Sequence, residues 1–346
     1  MDDLEVLRAD EGLRRLLGRP VMAPSTAHEF LRRVGRRGGL KGLEGVNGKL
    51  VRRLMRAKGL RRVTVDFDAT FIRSGVRTAA MSYLGERGWM PMLAFIAELG
   101  VVLYDELRPG NTSPGADALG VLRRAVEQLP AGTEVAVRAD SAWYIAELMD
   151  YCHERGWRFC ISAAMDRAVR ELVRRVGEED WVEVEPGQWA YDTVHTLNRS
   201  RWAYRLIILR RRRQGPQLDL FEGGYRYGAI ITNMDLPLRE QIRWHRGRCD
   251  VENGIKELKR GFGLGLLPSA EAAVNAAWMR LVVLAHNLVA ALKQLWLRGG
   301  WVPLTIKTIR YRLLRIGAVV VRHARRLWLR LPRGHSHLSA LRAALA

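Results

Sequence analysis

The stretch that most constrains the fold is "RRVTVDFDATFI", residues 61–72, in which apolar and polar residues alternate. Alternation with a period of two is typical of a half-buried β-strand, and it places Asp66 and Asp68 together on the polar face. Two more strand patterns follow, and after them a helix, a strand, a second helix and the strand pattern "WRFCIS". The order β-β-β-α-β-α-β predicts an α/β fold with a mixed sheet built from hairpins and right-handed crossovers.

The composition is strongly basic. Lys and Arg number 57 against 36 Asp and Glu, which gives a formal net charge of +21. An excess of this size predicts a polyanionic partner, and nucleic acid is the first candidate. The three cysteines show no C-x-x-C spacing, which argues against a zinc site or a disulfide framework and fits a reducing cytoplasm. The apolar run from Ala272 to Leu297 is interrupted by polar and charged residues, so we expect a buried helix and no membrane span.

Changes of pattern along the chain predict five segments. Residues 1–60 read as short helices that form a DNA-binding or linker region, and residues 61–164 as the first part of the α/β core. Residues 165–236 contain strand-like pieces separated by Pro and Gly, which predicts a β-rich insertion. Residues 237–298 return to helical patterns, and residues 299–346 form a basic tail in which "GAVVVRHARRLWLRLP" predicts a hairpin.

One helix predicted over residues 243–263 carries six Lys and Arg residues around Glu252. At about 100° per residue, His245, Arg248, Glu252 and Lys259 share one arc of the helix, beside its apolar stripe. Glu252 is therefore expected on the flank of the packed face, from which its carboxylate can reach the edge of the sheet.

Two interpretations of Glu252 are open. It could form ordinary surface ion pairs with Arg248 and Lys256, each four residues away. Alternatively, it could meet Asp68 and Asp140, the latter at the C-terminal end of a strand, where α/β sheets place ligand sites. Three such carboxylates would repel one another unless cations neutralise them, and oxygen ligands suit Mg²⁺ or Mn²⁺. Two of these ions can promote phosphoryl transfer to a water or a DNA 3′-hydroxyl.

The predicted insertion is rich in tryptophan, with Trp181, Trp189 and Trp202 in its strand-like pieces. Aromatic residues are common in strands, so they could simply pack a small β subdomain. They could also provide a platform on which DNA bases stack.

The segments "DFDATFI", "VRADSAWY", "ITNMD" and "HRGRCDVENGIKELKRGFGLGLLPS" resemble the DDE transposases of bacterial insertion sequences. The similarity is greatest to the thirteen-eighty family, in the group marked by a Tyr-x2-Arg-x3-Glu-x6-Lys signature. That signature is kept here in its spacing, with His245 in place of the Tyr. The resemblance extends from about residue 4 to residue 335, and it implies an RNase H-like catalytic domain with a β-rich insertion between the second Asp and the catalytic Glu.

The resemblance also implies roles for individual residues. Asp68, Asp140 and Glu252 would be the catalytic acids and would hold two Mg²⁺ or Mn²⁺ ions. The first acid of the family is followed two residues later by Thr or Ser, which favours Asp68, while Asp66 on the same face is the second choice. The residues expected to contact DNA are His245, Arg248, Lys256, Lys259, Trp189 and Trp202.

As a function, the resemblance implies cut-and-paste transposition in the cytoplasm, with the terminal inverted repeats and the target DNA as partners and a homodimer in the DNA complex. Members of the family usually carry an additional stretch before "LEVLRADEGL", so we expect an N-terminally truncated copy. A catalytically silent DNA-binding remnant that represses transposition, or a related nuclease, are the alternatives. The sequence lacks a G-x-x-x-x-G-K-[ST] motif, so no nucleotide cofactor is expected.

Overall fold

A computed structural model describes residues 2–212, 224–332 and 334–345. The chain begins with helices α1 (Asp2–Ala9), α2 (Glu11–Leu17), α3 (Pro24–Arg36) and α4 (Gly39–Ala57). α4 is the first of them with a substantial buried face, formed by Val51, Leu54 and Met55 against the central sheet. α4 therefore packs on the sheet, whereas α2 buries no residue.

The centre of the core is strand β1 (Arg62–Ala69). It shares a sheet with β5 (Met92–Ile96), β6 (Val101–Glu106), β7 (Glu134–Ala139) and β8 (Arg158–Ala163), in the spatial order β6-β5-β1-β7-β8. β5 runs antiparallel to β1, whereas β7 and β8 run parallel to it, because helices α5 (Ala118–Val126) and α6 (Ala146–Glu154) make the crossovers. The predicted α/β fold with an RNase H-like core is confirmed.

Between β1 and β5 lies a small sheet that the sequence patterns did not predict. Its strands are β2 (Ile72–Arg73), β3 (Ala80–Met81) and β4 (Arg87–Trp89). They are too short to show an alternating pattern. Thr70 and Pro91 close the base of this sheet through a backbone hydrogen bond of 3.0 Å.

The segment predicted as a β-rich insertion extends the central sheet. After helix α7 (Arg167–Arg175) come strands β9 (Val182–Glu185), β10 (Gln188–His195), β11 (Tyr204–Arg212) and β12 (Tyr225–Thr232). β12 pairs antiparallel with β8, and the four strands continue outward in the order β12-β11-β10-β9. The result is one sheet of nine strands.

The single helix predicted over residues 243–263 is wrong, because the structure divides it into α8 (Leu238–Arg246) and α9 (Cys249–Gly261). At the junction, Gly247 and Arg248 form a turn with shorter-range backbone hydrogen bonds, such as Val251 N to Arg248 O at 3.0 Å. The carbonyl of Trp244 accepts a hydrogen bond from Gly247 N at 3.2 Å and a second one from the side chain of Arg138 at 2.5 Å. A Cβ at position 247 would lie 2.3 Å from Nη1 of Arg138, so glycine leaves room for this contact.

Helix α10 (Ala272–Leu292) continues through a π-helical turn to Leu297 and lies against α3, α4 and β6. By length and hydropathy, the helix Ala272–Leu297 is the one candidate membrane span in the described residues. Its packing is that of a core helix: Asn287 is fully buried and its Oδ1 accepts a hydrogen bond from Val102 N of β6 at 2.8 Å. The expected buried helix is therefore present.

The C-terminal part consists of helix α11 (Ile306–Ile309), strands β13 (Val319–His323) and β14 (Arg326–Arg330), and helix α12 (Leu338–Leu345). β13 and β14 pair antiparallel, so the hairpin expected in the basic tail is present. They form a separate sheet of two strands. Ile306 of α11 contacts α9, where a Cβ at Gly261 would lie 2.4 Å from Cγ2 of Ile306.

Candidate active site

β1 carries two aspartates on the same face, and the structure gives them different surroundings. Asp66 is completely buried and receives two hydrogen bonds from Arg138 of β7, at 2.6 and 2.7 Å. Burial raises the pKa of Asp66 to about 6, although Arg138 opposes the shift. Both oxygens of Asp66 are thus engaged by a guanidinium that also holds the α8–α9 junction.

Asp68 lies two residues further along β1 and is 16% exposed. Burial raises its pKa to about 6, and the charges of Asp140 and Glu252 add to the rise. Arg248 opposes the shift, with its Nη1 3.8 Å from Oδ2 of Asp68. Asp140 and Glu252 are therefore close enough to Asp68 to act on it electrostatically.

Asp140 directly follows β7 and is held in place by local structure. Its Oδ1 accepts a hydrogen bond from the backbone N of Ala142 at 3.0 Å, which caps a short 3₁₀ turn. Within that turn Trp143 is buried and stacks on Phe67 of β1, with ring centroids 4.2 Å apart. This stacking fixes the loop after β7 to the same strand that carries Asp68.

Glu252 is in the first turn of α9. The helix buries Val251, Ile255 and Leu258 against the sheet, which leaves Glu252 on the flank as expected. Its side chain is 47% exposed, and its Oε1 lies 3.4 Å from Nη2 of Arg248. The contact with Arg248 is the surface ion pair that the first interpretation expects. The electrostatic effect of Glu252 on Asp68 is what the second interpretation, a group of three acids, expects.

The donor set fits a hard divalent cation, because it offers carboxylate oxygens from Asp68, Asp140 and Glu252 at one edge of the sheet. The present spacing is wider than a metal site requires. Within residues 2–212, 224–332 and 334–345, no three His, Cys, Asp or Glu side chains are grouped tightly enough to hold a metal ion. The guanidinium of Arg248 contacts both Asp68 and Glu252 and supplies the positive charge.

The signature residues His245 and Lys259 lie on either side of these acids. Nε2 of His245 is 3.0 Å from Oγ of Ser162, and its Nδ1 is buried without a partner among the described residues. Burial lowers the pKa of His245 to about 4, so the ring is neutral at neutral pH. Nζ of Lys259 donates to the carbonyl of Phe71 at 2.8 Å, and burial lowers its pKa while Asp68 opposes the shift.

Three of the residues predicted to contact DNA lie apart from the acids. Lys256 is exposed and lines a cleft of about 770 Å³ between α9 and the C-terminal segment. Trp189 faces the guanidinium of Arg210 at 5.3 Å, and Trp202 faces His153 at 4.8 Å. Both tryptophans are half-buried and pack against the sheet, as the packing interpretation expects, and their contact with DNA stays a prediction.

Sequence reasoning missed Arg138, which ties Asp66 to the α8–α9 junction. A signal was present, since an arginine in the middle of the apolar strand "EVAVRAD" needs a buried partner. Ser162 was missed as well, and its place beside His245 follows from the tertiary structure alone.

Comparison with known proteins identifies the family of the chain. The family described as "Transposase DDE domain group 1" matches residues 1–346. No curated protein matches the sequence. A solved structure of a piggyBac transposase synaptic complex with hairpin DNA is similar over 65% of this chain and 48% of that chain, with a TM-score of 0.40 and 10% identity. Because the family match covers the whole sequence, the chain belongs to the DDE transposases.

Proposed function

We propose that this transposase cuts and rejoins DNA at the terminal inverted repeats of the element that encodes it, with Asp68, Asp140 and Glu252 holding two Mg²⁺ or Mn²⁺ ions. The observation that carries the proposal is the convergence of these carboxylates from β1, the end of β7 and the first turn of α9. Burial raises the pKa of Asp68, and the charges of Asp140 and Glu252 add to the rise. Two element ends must meet before they are joined, so we expect a homodimer in the DNA complex, by analogy. The expected compartment is the cytoplasm, where the element's DNA is accessible.

When bound, the ions would activate the attacking oxygen and stabilise the leaving one. In cleavage a water oxygen bonds to phosphorus as the P–O3′ bond breaks, and in joining a 3′-hydroxyl attacks in place of water. The protein's own residues would hold the phosphate in line. Arg248 is suited to this because its guanidinium can exchange carboxylate oxygens for phosphate oxygens.

The two flanking signature residues support the same task. Lys259 is fixed by the carbonyl of Phe71, so its ammonium stays beside Asp68 and can neutralise a phosphate there. His245 is neutral, so it can offer a hydrogen bond without adding charge. A tyrosine, which is usual at this position of the signature, is neutral as well, and the substitution therefore preserves the charge of the site.

The test is excision from a plasmid that carries the gene's native flanking DNA, with the wild-type chain compared with Asp140→Asn. We expect a loss of more than about a hundredfold, because even residues that only support metal ligands contribute about ten- to a hundredfold. Asp192→Asn is the matched control, since Asp192 pairs with Arg205 on the insertion strands, at 2.6 Å and outside the site.

Two results would contradict the proposal. Equal excision by the wild type and Asp140→Asn would show that the carboxylate is not needed. Binding of the element's ends without excision by either chain would instead identify a DNA-binding remnant that represses transposition. Excision lost equally in Asp140→Asn and Asp192→Asn would indicate a loss of folding, which circular dichroism of the purified variants would reveal.

A further inference from the structure

The two-stranded hairpin formed by β13 and β14, here called the C-terminal ribbon (residues 319–330), stands apart from the central sheet. Every residue of β14 is exposed, including Trp328 at 52%. The ribbon rests on helix α2, where a Cβ at Gly12 would lie 3.4 Å from Cγ2 of Val320. A ribbon this exposed contributes little to the core.

The register of the ribbon separates its two faces. Val321 pairs with Trp328, and His323 pairs with Arg326, so these four side chains share one face. Val320 belongs to the opposite face, which leans on α2. The free face therefore presents a tryptophan among cationic and imidazole side chains.

The charge of this region has one sign. Residues 299–346 contain ten Lys and Arg residues and no Asp or Glu. Four of the arginines are on the ribbon, and none forms an ion pair with any residue in the part of the chain that the structure describes. Unpaired arginines on an exposed two-stranded surface are suited to a polyanion.

The turn of the ribbon is strained. Ala324 and Arg325 have φ angles of 49° and 63°, so both adopt the left-handed conformation that a two-residue hairpin turn requires. Glycine or asparagine would adopt this conformation at lower cost, and such strain in non-glycine residues is often kept where a side chain has a function. Here the strained turn carries the side chain of Arg325 at the tip.

We propose that the C-terminal ribbon is a DNA-binding element that enters the major groove, with its arginines on the phosphates and base edges. A two-stranded antiparallel ribbon fits the width of the major groove of B-DNA. Trp328 on the free face can contact thymine methyl groups and sugars there. The inference rests on the proposed action on DNA, and it adds a contact surface outside the acidic site.

A second copy of the chain is a less suitable partner for this surface. Pairing of two ribbons along β14 would bring Arg326 and Arg330 of each copy together, and like charges opposite each other in a sheet are destabilising. The charge therefore favours DNA over self-association.

A matched pair of glycine variants tests the proposal with the full chain. Arg325→Gly and Ala324→Gly both relieve a left-handed residue, so both should fold at least as well as the wild type. Only Arg325→Gly removes a cation. For a fluorescein-labelled mixed-sequence DNA duplex without metal, we expect Arg325→Gly to reduce the slope of log K against log salt by about 0.9, and Ala324→Gly to leave it unchanged.

A combined variant, Arg326→Ala with Arg330→Ala, should reduce the same slope by about 1.8. Slopes equal to that of the wild type in both arginine variants would overturn the proposal. So would unchanged DNA binding with a shift from dimer to monomer in sedimentation, which would assign the ribbon to contact between copies. The proposed function is tested separately, by excision. Equal excision by Asp140→Asn and the wild type would contradict that function, whatever effect the ribbon variants have on DNA binding.

Discussion

The acidic edge of the central sheet and the C-terminal ribbon handle charge in opposite ways. At the sheet edge the buried carboxylates are paired within the chain, Asp66 with Arg138 and Asp68 with Arg248. On the ribbon the arginines have no acidic partner among the described residues. A buried charge without a partner costs several kcal/mol, whereas an exposed one costs little. The interior therefore has to supply its own counter-charges, and the ribbon can leave them to a ligand.

The largest effect expected from this difference is at Asp66. Asp66→Asn leaves the buried guanidinium of Arg138 without its counter-charge, and we expect the free energy of unfolding to fall by about 3–5 kcal/mol. Chemical denaturation of the purified variant measures this. The loss should occur without metal and without DNA, because it arises in the folded chain itself.

Adding Arg138→Met to Asp66→Asn sharpens the test. With both charges removed, an apolar side chain replaces the ion pair, and part of the stability should return. The loss of stability in the double variant is compared with the sum of the losses in Asp66→Asn and in Arg138→Met. If the two are equal, then the ion pair is not the cause of the instability.

A smaller effect is expected at His245, and it depends on pH. The folded-state pKa is about 4, below the ordinary value of 6.5, so the unfolded chain binds a proton that the folded chain excludes between these values. The contribution to stability is therefore complete above pH 6.5 and is lost as the pH falls towards 4. His245→Gln should remove a loss of about 3 kcal/mol over this range.

Denaturation of the wild type and His245→Gln at several pH values would measure the difference between them. Gln keeps a polar group beside Ser162 and does not titrate, so the other ionisable groups cancel in the comparison. Parallel stability curves for the two chains would show that His245 does not titrate in this way.

The smallest effect is expected on the ribbon. Trp328→Ala should change the free energy of unfolding by less than about 0.5 kcal/mol, because the side chain of Trp328 is 52% exposed and lies outside the buried core. Trp143→Ala, at a buried ring stacked on Phe67, should cost about 3–5 kcal/mol. Thermal or chemical unfolding of both variants makes the comparison, and a large loss for Trp328→Ala would mean that the ribbon is part of the core.

The pattern of the sequence predicted the elements of the core well, because strands β1, β7 and β8 carry strong alternating or apolar runs. It did not predict the break between α8 and α9, because the periodicity of the apolar stripe continues through Gly247. The junction is in contact with Arg138, more than a hundred residues earlier. A contact of this range leaves no periodic signal.

The same distinction applies to the site. The positions of Asp68, Asp140 and Glu252 at one edge followed from strand ends and from the flank of a helix, and the structure brings them within electrostatic reach. The sequence alone could not separate Asp66 from Asp68 on physical grounds, because both face the same side. Burial and the pairing with Arg138 distinguish them, and these depend on the neighbouring strand.

The continuity of the nine-stranded sheet has a mechanical consequence. Four residue pairs join β12 to β8, and Asn233 adds hydrogen bonds to the backbone of Phe159 and Trp157, both at 2.8 Å. A hinge between the insertion and the acidic edge would have to break these bonds together. The insertion strands are therefore rigidly joined to the central sheet. DNA that contacts strands β9 to β12 would be held at a constant distance from Asp140.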